Sequence, residues 1–568
     1  MNETLSTTIT TERVDDVPLP LAQMERMGLP LLLDAHFPPH NNHQWLSLSW
    51  LCTVWFAHIL SQADHRLNRM RPWADQLQEA LAAFLPAPLR PIALTDDRRA
   101  DGLRILRDDP RWRAFEGAHT GHLIHVYDLR PTTVRVDSTT ASGYWDVTDA
   151  GRFPFRHSTD RRPDLPQLNM MLATLDPLGR PVAADVAAGQ RADDRRSLPI
   201  TARVRASLGQ TSLWSIGDSK LSGPLKRATI HQMSQHYRGP LGAIQLPAAD
   251  RAALVEAVLE TVPVARLLCT ATHPQPAAGL MTAIMHSDAD GHLRWIADAT
   301  EQTVTRTAML DGDAVTWPER QVLVRSRAIA SAQERALQQR LAQAKAALAN
   351  LQAPRQGKPR PTTPEALEAA VTVILIRYEV DGILTVTTTA IAHTHRRRAD
   401  KDRPAQEVAI YDLTLTSTIV QPTYDATVAG PGWRVYVTNR PVDALSLDQA
   451  VLAYRNEYLV KRSLERLKGV PLSLSPVYLS RDDHTTGLLH LLTIGMRVLT
   501  GLETAIRDQL AQEQAALVGL YADQTTRTTV RPTTERVLEA FRHLTLTMVT
   551  LPEQSIRHLT PLSALQQR

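Results

Sequence analysis

The most constraining stretch of this sequence runs from about residue 125 to residue 240, where strand-type and helix-type segments follow one another in a fixed order. Residues 133–139 (TVRVDST) set β-branched side chains around Asp137. Residues 167–175 and 181–188 are apolar runs on either side of Asp176-Pro177-Leu178-Gly179, a turn composition that predicts a hairpin. A helical segment follows over about 197–208, then a strand over 212–217 with Asp218 directly after it. A helix through about 225–236 is entered at Pro224, where the missing N–H costs nothing. Three hairpin-linked strands, a helix, a fourth strand and a helix predict a mixed sheet with flanking helices.

At 568 residues the chain exceeds one ordinary domain, and its texture changes along its length. Residues 1–125 read as a helical N-terminal domain, with apolar periodicity over 45–61 and 73–84, a proline-rich break at 85–91 and a helix over 98–106. Residues 126–240 are the first part of the sheet-and-helix core. Residues 241–430 read as a mixed insertion. It holds a long helix over 321–351, a Pro/Lys/Arg-rich loop over 352–364, and β-type segments over 370–392 and 407–419. Residues 431–500 hold a last core strand at 433–438 (WRVYVT) and a helix over 446–468. Helices expected over 488–512 and 536–549 make 501–568 a helical C-terminal tail. The fold class is therefore multidomain α/β with helical ends.

Apolar residues make up 43% of the chain, enough for large cores, and the net charge is +4 with a pI of about 9.1. That balance permits a nucleic-acid partner without requiring one. Arginine clusters at 161–162, 195–196, 325–327 and 396–398 each read first as solvated faces. Cys52 and Cys269 suit neither a disulfide framework nor a zinc cluster, which points to a reducing, cytoplasmic setting. Residues 1–16 are polar, without the apolar core of a leader, and 45–60 fall short of a membrane span. Phosphate-binding glycine loops, a GxSxG elbow and HExxH are absent.

Chemistry concentrates on Asp137 and Asp218, each at the end of an apolar strand. Neighbouring strands would send both carboxylates from one sheet edge, where hard oxygen ligands suit Mg²⁺. Two such ions about 4 Å apart activate a water or a 3′-hydroxyl and stabilise the leaving oxygen. The plainer reading is that aspartate often ends a strand as a turn residue. In Arg481-Asp482-Asp483-His484 the acidic pair reads as the first turn of a helix rather than as a metal site.

Residues 134–145 (VRVDSTTASGYW), 157–179 (HSTDRRPDLPQLNMMLATLDPLG), 216–220 (IGDSK) and 452–476 (LAYRNEYLVKRSLERLKGVPLSLSP) resemble the ordered blocks of DDE-type insertion-sequence transposases of the IS-four superfamily. The N-terminal region resembles the helical domain found in one branch of these bacterial enzymes. The resemblance implies a ribonuclease H-like core with a β-rich insertion between its second and third acidic residues. It also implies that Asp137 and Asp218 are the first two metal ligands, for two Mg²⁺ (or Mn²⁺) ions. Metal-dependent cleavage and 3′-OH strand transfer would act on terminal inverted repeats and target DNA. A homodimer on DNA, associated with the nucleoid and not with a membrane, would be the working form. Arg161, Arg162, Tyr454, Arg455 and Lys468 are the DNA contacts it implies.

The third acid departs from the pattern. The superfamily signature is Tyr, two residues, Arg, three residues, Glu, six residues, Lys. Laid on Tyr454, it places Glu457 at the Arg position, Lys461 at the Glu position and Lys468 at the Lys position. On one continuous helix, residues 454, 457, 461, 465 and 468 share a face, with Arg455 beside it as a substitute for the missing arginine. The Lys461 ammonium repels Mg²⁺ and is expected to pair with Asp137 or Asp218, while Glu457 and Glu465 stand four residues either side of it. Three readings stay open: an inactive copy, a site completed by a neighbouring glutamate (Glu457 or Glu465, with Glu457 the candidate ligand), and a protein kept for DNA binding alone. A ribonuclease H-like nuclease is a further alternative.

Overall fold

The computed structural model describes residues 8–38, 46–87, 89–145, 147, 153–155, 162–187, 196–209, 212–262, 281–287, 292–352, 360–397, 406–551 and 554–568. The chain is α/β and divides into two compact units, one formed by 1–239, 307–317 and 454–568, the other by 240–306 and 318–453.

The first unit is built on strands β1 (Thr133–Ser142), β2 (Gln167–Leu175), β3 (Arg180–Ala187), β4 (Trp214–Gly217) and β5 (His236–Pro240), in the spatial order β3-β2-β1-β4-β5. The short links β1–β2 and β2–β3 give antiparallel neighbours, while β4 and β5, each preceded by a helix, run parallel to β1 and β4 respectively. Every residue of β2 is buried, so both sheet faces are covered and the strand reads as an almost continuous apolar run. At the β2–β3 turn Gly179 has φ +66°, a left-handed conformation that favours glycine. Asp176 of the same turn pairs at 2.6 Å with the buried Arg135 of β1.

Helices Leu48–Gln62, Asp96–Leu106 and Asp109–Val126 pack with the helix Asp482–Gln512 around one apolar core, which also takes in Leu168, Met170 and Leu172 of β2. The helical N-terminal region therefore has no core of its own: Leu488, Leu492, Ile494 and Met496 from the far end of the chain fill it. Helix Asp482–Gln512 is long and apolar enough to cross a membrane by length and composition, and its apolar window is 89% buried within the unit. One buried carboxylate, Glu116, accepts the Ala184 N–H of β3 and pairs with Arg203 and Arg497, linking three helices to the sheet.

The second unit has strand Trp433–Thr438, then residues 318–326 of strand Asp313–Ser326, residues 293–306 of strand Leu293–Leu310, and strand Thr282–Ser287, in that order. Its other core lies between helices Arg327–Gln352 and Pro364–Arg377 and the base of a long hairpin, Leu384–Arg397 with Gln406–Ile419.

Several segments differ from their sequence reading. The β-branched run within 370–392 begins as helix Pro364–Arg377, because Thr363 caps it and Leu367 and Val371, four residues apart, bury one helical face. The helix read over 321–351 starts only at Arg327, since residues up to Ser326 extend a strand. The C-terminal tail is not mainly helical. Helix Thr534–Ala540 is followed by strand Thr545–Thr550, which pairs antiparallel with both Thr8–Arg13 and Ser555–Leu559. A partner more than 500 residues away leaves no trace in local periodicity. Cys52 is a buried free thiol, and Cys269 lies outside the described residues.

Gly487 marks the tightest helix–helix approach, since a Cβ there would stand 2.0 Å from the Leu103 carbonyl oxygen. Gly487→Ala should lower stability by about 3 kcal/mol through backbone displacement, read as a lower denaturant midpoint. An unchanged midpoint would contradict this packing.

Candidate active site

The parallel register of β1 and β4 ends with Val136 beside Gly217. The next residues, Asp137 and Asp218, therefore stand side by side, on strands about 4.8 Å apart. Strand β1 continues past this point while β4 stops, so Asp218 sits where the sheet opens. Both line one small cleft with Ser138, Ser197, Lys220 and Met171. The Ser138 N–H donates to Asp137 Oδ1 at 2.8 Å, and the Lys220 N–H donates to Asp218 Oδ1 at 2.9 Å.

Burial pushes the Asp137 carboxyl up to about 6, against the Ser138 N–H, and the Asp218 and Glu457 charges push it further. Lys461 pulls it down. Asp218 is raised by burial too, opposed by the Lys220 N–H and ammonium and reinforced by Glu457. Two adjacent, partly buried carboxylates with a charge repulsion between them are the kind of pair a divalent cation stabilises.

The third position is shaped by a helix that does not run straight through. Residues 446–468 form two helices, Leu447–Arg455 and Tyr458–Lys468, with Asn456 and Glu457 in a turn between them. The Glu457 N–H bonds the Tyr454 carbonyl three residues back, which tightens the turn. Asparagine competes for backbone hydrogen bonds and favours such an interruption. Tyr454 is thus not on the same continuous helix as Lys461, as the signature requires. The second helix packs on β1 and β2 through Leu459, Val460, Leu464 and Leu467, and its Ser463 Oγ donates to the Gly179 carbonyl at 3.1 Å.

This arrangement buries Glu457, 8% exposed, and leaves the Lys461 side chain 56% exposed. Lys461 pairs with Glu457 at 3.4 Å and with neither aspartate, which corrects the expected Lys461–aspartate pairing. The shared face is likewise divided: Glu465 is exposed, Lys468 is half-buried, and Glu457 turns inward. Glu457 is the carboxylate whose charge reaches both Asp137 and Asp218. Among the described residues, no three Asp, Glu, His or Cys side chains converge tightly enough to hold a metal ion. The ligand set on hand is the aspartate pair, with Glu457 as a near neighbour.

The DNA contacts implied by the resemblance are scattered. Arg161 and residues 157–160 lie outside the described residues. Arg162 is held bidentate by Asp164, at 2.9 and 2.7 Å. Arg455 is exposed at the end of its helix, and Tyr454 is half-buried. Asp482 and Asp483 do open a helix, and Asp483 is engaged by Arg481. Sequence reasoning passed over Ser138, Ser197 and Lys220 in the cleft. The Asp-Ser-Lys turn at 218–220 was the one local signal for Lys220.

No protein-family model matches this chain, and no curated protein matches it. Among solved structures, a piggyBac transposase synaptic complex with hairpin DNA aligns over 93% of this chain and 79% of that one, at 8% identity and a TM-score of 0.32. A likeness that low carries neither fold nor function.

The raised carboxyls set a pH dependence. A folded-state value above the unfolded one means the native protein keeps a proton that the unfolded chain releases, so stability falls as pH rises from about 4 through 6. Above that window the cost at Asp137 is about 2–3 kcal/mol. In EDTA, Asp137→Asn should match the parent protein at pH 4 and exceed its stability by about that amount at pH 7.5. Parallel stability curves at all pH values would show that Asp137 is not desolvated.

Proposed function

We propose that this chain is a DNA strand-transfer enzyme of the insertion-sequence transposase kind, built on a ribonuclease H-like core. The observation that carries this reading is the register that sets Asp137 beside Asp218 on adjacent parallel strands of a sheet ordered β3-β2-β1-β4-β5. The ordered sequence blocks around these aspartates support it independently. Terminal inverted repeats and a target duplex are its substrates in this reading, and a dimer its working form.

Asp137 and Asp218 would hold Mg²⁺ or Mn²⁺, each cation keeping several waters for a phosphate substrate. Bound there, the metal supplies charge neutralisation at phosphorus and acidifies the attacking water or 3′-hydroxyl. The chain's own residues orient the ligands. The N–H groups of Ser138 and Lys220 each hold one carboxylate oxygen, and Lys220 places a positive charge near Asp218. Glu457 is the third carboxylate in this reading, drawn off by Lys461.

A second reading, DNA binding without cleavage, is favoured by that same Glu457–Lys461 pair, since a paired carboxylate is a weaker ligand. The two are separated by Mg²⁺-dependent thermal shift and by cleavage of a duplex carrying the gene's own flanking sequences. Lys461→Glu should tighten Mg²⁺ binding about tenfold or more and raise cleavage, because it replaces a cation near two metal ligands with an anion. Asp137→Asn should abolish both. Metal binding indifferent to both substitutions overturns the catalytic reading and leaves the second.

Duplex binding should weaken steeply with salt. For about six phosphate contacts, affinity should fall roughly a thousandfold between 50 and 200 mM salt. Binding that is flat over this range would count against a DNA partner.

A further inference from the structure

Just past the cleft, strand β1 ends at Ser142 and the chain turns through Gly143, Tyr144 and Trp145. A second segment, around Val477 and Tyr478, is clipped to it by two backbone hydrogen bonds. The Tyr144 N–H donates to the Val477 carbonyl, and the Val477 N–H donates to the Ser142 carbonyl, both at 3.0 Å. Trp145 fixes the turn from below: it is buried, packs on Phe153 and donates its indole N–H to Thr485 at 2.9 Å.

On this clamp Tyr144 and Tyr478 stack in the open, ring centroids 5.5 Å apart and planes 19° from parallel. They are 50% and 65% exposed, although large aromatic side chains usually find cover. Tyr144 also takes a hydrogen bond from Arg162, and Arg66 lies within electrostatic reach of Tyr478. Both guanidinium groups are held in place by carboxylates, Arg162 by Asp164 and Arg66 by Asp64. The backbone and ion pairs spend their bonds on holding two aromatic faces toward solvent. Among the described residues, the two rings stack on each other at the surface and belong to no buried core cluster.

We propose that the Tyr144–Tyr478 pair is a stacking platform for an unpaired nucleobase of the DNA strand being processed. Aromatic faces beside arginines are the chemistry that takes up single-stranded bases without sequence readout. The position fits. Ser142 lies five residues beyond Asp137 on the same strand, about 16 Å along it, so the platform and one of the candidate metal ligands are carried by one β-strand. This inference rests on DNA being the substrate, and the test separates the two claims.

The full-length protein is titrated with a single-stranded oligonucleotide carrying 2-aminopurine and with a fully paired duplex of the same sequence. Stacking on the platform should quench the 2-aminopurine. Tyr478→Ala and Tyr144→Ala should each remove most of the quenching and weaken single-strand affinity about tenfold, while duplex affinity stays within about twofold. Tyr478→Phe, which keeps the ring and loses the hydroxyl, should behave as the parent protein. Duplex binding with single-strand binding unaffected by either alanine overturns the platform and leaves the DNA reading intact. Failure to bind either nucleic acid at low salt overturns both. A drop in solution mass in the alanine variants, with oligonucleotide binding unchanged, would make the pair a self-association surface and overturn the platform.

Discussion

The helix that carries the third position of the candidate site is anchored by one buried carboxylate. Glu503, on the long helix Asp482–Gln512, is 2% exposed and is held by Arg462, Arg466 and Arg507. Arg466 also grips Glu535 at 2.6 Å. The cluster therefore ties helix Tyr458–Lys468 to the long helix and to the short helix Thr534–Ala540. A buried charge with several hydrogen-bonded partners is weak evidence of net stability, but losing one member leaves the others stranded at a cost of several kcal/mol. Such a cluster tolerates one arrangement of its helices, and that arrangement decides which way residues 457 and 461 face.

Much of the core was legible from local pattern. Alternation in 133–139, the Asp-Pro-Leu-Gly turn and the helix between the third and fourth strands marked the elements that carry Asp137 and Asp218, while the adjacency of those two strands was a condition that the structure meets. Those features depend on residues close in sequence, where periodicity reports directly on burial. The third position was less legible. A run of good helix formers through 446–468 suggests one helix, yet Asn456 and a three-residue hydrogen bond at Glu457 interrupt it. The strand Thr545–Thr550 and the tyrosine pair escaped notice for another reason: each is defined by a partner distant in the chain.

At the cleft, Lys461 forms its ion pair with Glu457 and acts on Asp137 only through its longer-range charge. Its side chain is exposed, and its salt bridge at 3.4 Å engages Glu457 from the solvent side. The aspartates meanwhile carry their own repulsion, built up by burial and by each other, and relieved in part by two backbone N–H groups. The strain in the site is thus electrostatic. It resides in residues that sequence identified, while the group that modulates it is set by the turn.

The discontinuous make-up of the first unit bears on the order in which the chain is made. Its core joins residues near 20–190 with residues near 460–540, so the nascent polypeptide must carry its early helices and strands unfinished through most of synthesis. The intervening unit has a core of its own, composed of residues 337–428, and can close while the ribosome is still working. Until the helix Asp482–Gln512 emerges, Phe56, Leu103 and Trp112 lack the Gly495, Gly487 and His490 surfaces that pack against them. The apolar interior of the first unit first becomes complete while residues 460–540 are being added. Premature termination in that window would release a sticky, half-built product rather than a smaller version of the same molecule.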